Sequence, residues 1–155
     1  MFALLLALAA PTTSTKMPPA QALPPPTDEE QAVLSSANAL LAAFDSGNPA
    51  EILRWVYPDG RVTGVGTLPT RTGLRSESWT QFTQRIGTGR FQETIGDPAI
   101  EIDGDAAMIW APFVVRIAGK VTNCGIDHFD LVRENGAWKV MNLTFTSRIA
   151  GCPAQ

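Results

Sequence analysis

Three turn signals, Asp103-Gly104, Gly119-Lys120 and Asn135-Gly136, stand 16 residues apart in the second half of the chain. Asp-Gly and Asn-Gly favour tight hairpins because type I′ turns need positive φ. From Phe91 onward the apolar spacing changes from a helical period to extended runs. Four long strands are therefore expected at about 91–102, 105–118, 121–133 and 137–149, joined as an antiparallel meander.

Upstream the period is helical. Thr27-Asp28-Glu29-Glu30 is a capping box, and Val33, Ala37, Leu40, Leu41 and Phe44 follow on one face. Gly47-Asn48-Pro49 ends that helix, and Asn48 caps a second carrying Ile52, Leu53, Trp55 and Val56, with Pro58 as its stop. Arg61 to Gly66 reads as a short strand and Leu68 to Arg75 as loop. Ser76 is the expected cap of a third helix with Trp79, Phe82 and Ile86, closed by Gly87. Helices first and a meander second predict an α+β domain over 28–155. Pro112, mid-strand and without a donor, predicts a bulge and a bend, hence a cone-shaped fold with the N-terminal helices packed on a bent sheet of four to five strands.

The N-terminus is expected to lie outside that domain. Residues 2 to 10 are an unbroken apolar run, and Ala20-Gln21-Ala22 matches a cleavage box. This predicts a signal peptide over 1–22, a Pro-rich leader over 23–27, and a secreted or periplasmic protein. An even cysteine count in an exported chain allows a Cys124–Cys152 disulfide. Because the expected register puts Ser147 opposite Cys124, the tail must turn back after Ile149, which Gly151 permits.

Composition excludes several classes. Lys and Arg total 12 against 15 Asp and Glu, so no basic stripe awaits a nucleic acid. No apolar run reaches the ~18–20 residues of a membrane span. One His and two Cys make no zinc set. Gly64-Val65-Gly66 is no dinucleotide fingerprint, since Pro69 stands where the third glycine belongs. No cofactor is expected.

Two-residue turns set the register. With Asn135-Gly136 and Gly119-Lys120 as loops, Asp127 opposes Thr144 and Pro112, and Phe129 opposes Asn142 and Trp110. One face then holds Trp110, Pro112, Val114, Gly125, Asp127, Phe129, Leu131, Val140, Asn142 and Thr144. The other holds Ile109, Phe113, Val115, His128, Met141, Leu143 and Phe145. Both look apolar, so a homodimer through the convex face is expected to cover the second set. Asp127 and His128 are adjacent in one strand and point to opposite faces. Asp127, desolvated beside Phe129 and Trp110, reads either as a general base or as a structural carboxylate satisfied by Asn142, Thr144 or an arginine. Trp79, Trp110, Phe82 and Phe129 are candidate walls of an apolar pocket, and Arg71, Arg75 and Arg116 candidate anchors for an anion.

The order helix, helix, strand, helix, meander resembles the nuclear transport factor 2-like superfamily, with its ketosteroid isomerases, SnoaL-like cyclases and lumazine-binding group. The resemblance is carried by Gly104-Asp105-Ala106-Ala107-Met108-Ile109-Trp110-Ala111-Pro112-Phe113, Cys124-Gly125-Ile126-Asp127-His128-Phe129-Asp130-Leu131-Val132-Arg133 and Gly136-Ala137-Trp138-Lys139-Val140. It spans about 28–149 and implies that the face bearing Asp127 and Phe129 is concave. It also implies a comparison with isomerases that pair an aspartate base with a Tyr–Asp oxyanion hole. Here the single tyrosine, Tyr57, ends the second helix, and no second acid pairs with it in sequence. Three functions follow as expectations: a binding protein for a small apolar or aromatic molecule, a small lyase or isomerase using Asp127 as base, or a structural dimer module with a filled core.

Overall fold

Thr27 closes the start of the first helix in both directions. Its backbone N–H donates to Glu30 Oε2 at 2.6 Å, and its Oγ1 accepts from Glu30 N–H at 3.2 Å. The computed structural model that shows this describes residues 25–86 and 90–153; the expected signal peptide and the Gly87 stop lie outside those residues. Helix α1 runs Asp28–Ser46 and ends on left-handed Gly47. Asn48 Oδ1 caps α2, Pro49–Arg54, which stops short of Pro58. Strand β1 spans Arg61–Leu68. Where a loop was expected, two short strands follow, β2 at Arg71–Thr72 and β3 at Arg75–Ser78. Both fold back antiparallel on β1. The cap of α3, Trp79–Ile86, is therefore Ser78 rather than Ser76: Ser78 Oγ accepts from Gln81 N–H, and Ser78 N–H donates to Gln81 Oε1.

The first expected strand divides into β4, Gln92–Ile95, and β5, Ala99–Asp103, both antiparallel to β6, Ala106–Ile117. The break lies opposite Pro112. A strand residue's N–H and C=O point to the same side, and Pro112 O accepts from Gly96 N–H at 2.7 Å, so the missing N–H faces the gap between β4 and β5. Strands β7, Lys120–Glu134, and β8, Ala137–Ser147, complete the meander. The mixed sheet runs β2-β1-β8-β7-β6-β4, with β1 parallel to β8.

The register departs from expectation twice. The turn between β6 and β7 is Ala118-Gly119, both at positive φ, so Ile117 faces Lys120. A bulge then leaves Thr122 unpaired, and from there Val115 faces Asn123, Ala111 faces Asp127 and Ile109 faces Phe129. A second bulge at Met141 shifts β8, so Asp127 faces Phe145 and Phe129 faces Leu143. The freed Met141 carbonyl accepts the Trp79 indole N–H at 3.0 Å.

The inner face is consequently apolar: Ile109, Ala111, Phe129, Leu131, Val140 and Leu143 pack with Val33, Ala37, Leu40 and Phe44 of α1. Ile109, Phe113, Val115 and Leu143, expected on a dimer face, are buried inside this chain. Their enclosure removes the argument that a second copy must cover them. The outer face carries Trp110, Pro112, Val114, His128, Asp130, Asn142 and Thr144 instead.

The tail does turn back. Arg148 rather than Ser147 bridges Cys124, Gly151 adopts positive φ, and Cys124 and Cys152 are disulfide-bonded with Cα atoms 5.6 Å apart. Among the described residues, no helix is long and apolar enough to cross a membrane.

Candidate functional site

The bent sheet and the helices enclose a cavity of about 490 Å³. Its walls are Phe44 of α1, Val62 of β1, Phe82 and Ile86 of α3, Phe91, Phe113 and Val115 of β6, and Leu143 and Phe145 of β8. The Phe44 ring lies tilted, 5.6 Å from that of Phe82 and 5.1 Å from that of Phe91, and Phe113 meets Phe145 edge-on at 6.1 Å. The exposed lining residues Pro69, Thr70, Arg75, Arg85 and Ile117 mark the mouth. Polar groups are few: Glu93, Asn123, Thr70 and three arginines. Asn123 Nδ2 donates to Ser147 Oγ, whose hydroxyl donates to Thr67 O, so that side of the wall is already satisfied.

Two carboxyls meet on the inner face. Asp127 is 1% exposed. Its Oδ2 meets no N–H or hydroxyl among the described residues. The group that hydrogen-bonds the Asp127 carboxyl is the carboxyl of Glu93. Two carboxylates are both acceptors, so that contact needs a proton between them. Burial is the main reason that Asp127 is held well above the ordinary carboxylate range, and the Glu93 charge and hydrogen bond add to it. Burial pushes Glu93 up to about 7, while the bond from Asp127 pulls it back. Both carboxyls are raised, and their protons come off in steps that belong to the pair. Glu93 lines the cavity and Asp127 sits behind it. The carboxyl that faces the cavity is thus Glu93, a residue the sequence reading did not single out. A signal was present: Phe91, Glu93 and Ile95 alternate with polar neighbours, so an acid occupies the apolar parity of an edge strand.

A cationic cluster borders the mouth. Glu77 of β3 is buried, and its carboxylate accepts from Arg85 Nη2 at 2.7 Å and Nε at 2.8 Å, with Arg75 Nε at 3.3 Å. Arg71, half-buried, makes one hydrogen bond among the described residues, from Nη1 to Gly73 O at 3.2 Å. It lies over Gly64, whose missing side chain leaves room for the Arg71 guanidinium and the Phe145 ring.

The remaining predicted residues are distributed as follows. Phe129 and Trp79 are buried in the core, and Phe82 lines the cavity. Trp110 is 51% exposed on the outer face, 5.9 Å from the His128 ring, and His128 Nε2 lies 3.5 Å from Asp130 Oδ1. Asn142 Oδ1 accepts from Arg61 N–H and its amide donates to Asp130, while Thr144 is exposed. Trp110, Asn142 and Thr144 therefore stand outside the cavity, because the two bulges reverse the parity on which their inward placement depended. Tyr57 Oη donates to Glu134 Oε1 at 3.1 Å, away from the carboxyl pair. Arg116 lines a smaller cleft of about 380 Å³ between α1 and β4, where it donates to Thr94 Oγ1. Among the described residues no cluster of three His, Cys, Asp or Glu is placed to hold a metal ion.

Comparison with known proteins agrees with this architecture. A protein of unknown function with a cystatin-like fold from Nostoc punctiforme superposes with a TM-score of 0.63 at 12% identity, covering 80% of this chain and 95% of that one. A ketosteroid isomerase-like protein from Erwinia carotovora atroseptica gives 0.57 at 16% identity, over 77% and 96%. The association domain of C. elegans CaMKII gives 0.61 at 16% identity, over 75% and 94%. No curated protein matches in sequence. The model of the SnoaL-like domain matches residues 26–144, most of the folded part, and the chain belongs to the SnoaL-like family within the nuclear transport factor 2-like superfamily.

Proposed function

We propose that the chain is an exported protein that binds a small apolar or aromatic molecule inside the cone. The observation that carries this reading is the cavity of about 490 Å³, walled by aromatic and branched side chains with a few convergent polar groups. That volume is in the range of small-molecule sites and argues against a filled-core module. The apolar run at 2–10, the Ala20-Gln21-Ala22 box and the Cys124–Cys152 disulfide support export. Titration with the uncharged fluorescent probe N-phenylnaphthylamine tests the binding. Emission should rise on binding and be lost in Val115→Trp, which fills the cavity. No response to this probe, and no thermal shift with any neutral aromatic compound, would refute it.

The carboxyl pair favours a second reading, a lyase or isomerase acting by proton abstraction. A base near pH 7 that faces an apolar cavity suits that chemistry. On this reading Glu93 takes the proton and Asp127 is a positioning residue that sets its basicity. Turnover should vanish in Glu93→Gln, whereas Asp127→Asn should move the pH profile. A turnover that survives Glu93→Gln would exclude it.

A further inference from the structure

Three guanidiniums gather around one carboxylate where the cavity opens, and the local charge does not cancel. Arg85 and Arg75 are engaged by Glu77, Arg85 through two short bonds. Arg71 is not. It is half-buried against Gly64 and Phe145 and, among the described residues, keeps a single backbone bond. A cation in such a place is costly unless paired. Its burden is visible in its protonation: burial comes first, then the charges of Arg75 and Arg85, in pulling Arg71 below the ordinary arginine range, and Glu77 only partly opposes them. Arg71, Arg75 and Arg85 all line the cavity.

The other polar pole comes from elsewhere. The arginines are borne by β2, β3 and α3, beside the β1 end of the sheet, and Glu93 stands on β4 at the opposite end. Between them the wall is apolar except for Asn123, whose amide is already engaged by Ser147. A molecule lying in this space meets cations at the mouth, hydrocarbon along its body and a carboxyl on the far wall.

We propose that the ligand is an amphiphilic organic acid, an apolar or aromatic body with one anionic head, whose head pairs with Arg71 and Arg75 at the mouth. The inference rests on the reading that the cavity binds an apolar or aromatic molecule, and adds the charge and the orientation. The unused donors of Arg71 supply the fork that a carboxylate accepts, and Arg75, turned partly to solvent, adds a second. Glu93 on the far wall disfavours the reversed pose, because an anion there would face a group that is itself ionising.

Calorimetric titration of matched probes tests it: naphthoate and anthracene carboxylate against their methyl esters. The acids should bind about tenfold more tightly than the esters, as expected for a charge-assisted pair. Arg71→Met should weaken the acids about tenfold and leave the esters within about twofold. Retained ester binding also shows that the variant is folded. Arg75→Met should act in the same direction with a smaller loss. Esters that bind as well as acids, or an Arg71→Met variant that weakens both alike, would overturn the anionic assignment and leave the cavity reading standing. If neither acids nor esters bind, both fall.

Discussion

Glu93→Gln tests whether burial raises the carboxyl that faces the cavity. In the native chain Glu93 is raised from 4.5 to about 7. A raised carboxyl favours folding only while it is protonated. Its contribution is complete below the unfolded value of about 4.5 and is lost as pH climbs through about 7. The rise of about 2.5 pH units corresponds to about 3 kcal/mol at 1.36 kcal/mol per unit. Glu93 keeps some contact with water, which reduces this to about 2 kcal/mol. Glutamine carries no proton to lose, so the variant escapes the decline. It also removes the Glu93 charge that helps to hold Asp127 up, which adds in the same direction. Urea unfolding followed by tryptophan fluorescence at several pH values between about 4.5 and 8 reads the difference directly. The variant should gain about 2 kcal/mol on the native chain across that window, with most of the gain between about 5 and 7. Two stability curves that stay parallel over the whole range would refute the raised Glu93 carboxyl, whatever the absolute stabilities.

Other expectations are simpler. Loss of the Cys124–Cys152 bond, whose partners stand 28 residues apart, should cost about 3–4 kcal/mol, read as a lower melting temperature with reductant; an unchanged melt would contradict it. Gly125→Ala drives a methyl into the Thr146 carbonyl and the Phe113 ring, so it should destabilise by about 2–3 kcal/mol in thermal melts. Gly104→Ala meets open space and should cost about 1 kcal/mol through its positive φ alone. Trp79→Phe leaves the Met141 carbonyl unpaired, with an expected loss of about 1–2 kcal/mol in urea titration; no loss would show that the indole bond adds nothing to the bulge.

Much of the architecture was legible because its signals are local. The Thr27–Glu30 box, the Asn48 cap and the Asn135-Gly136 turn each depend on a few adjacent residues and appear where expected. The parallel pairing of β1 with β8 was not legible, since 80 residues separate partners such as Thr63 and Thr144 and no turn encodes the contact. The short strands β2 and β3 escaped notice for a similar reason: Arg71–Thr72 and Arg75–Ser78 are polar, and only β1 beside them makes them strands.

The inner face turns on a finer point. A glycine can occupy either position of a two-residue turn, so Gly119 is compatible with Gly119-Lys120 and with Ala118-Gly119. The choice moves the pairing of β6 by two residues, and the Thr122 bulge returns one. The net change of one residue exchanges every side chain of β6 between faces relative to β7. The Met141 bulge does the same for the far half of β8. Neither bulge is written in turn chemistry, yet both are implied by hydrophobic segregation. In the expected register Trp110, Asn142 and Thr144 share a face with Phe129, while Ile109, Phe113 and Leu143 gather on the other, so that neither face is clean. In the observed one, Ile109, Phe113, Leu143 and Phe145 join Phe129, and the polar groups leave together. When a turn and the segregation of apolar from polar side chains disagree, segregation involves many buried groups and the turn only two residues. The apolar pattern should therefore decide the register, and the same rule brings Asp127 and Glu93 to the inner face.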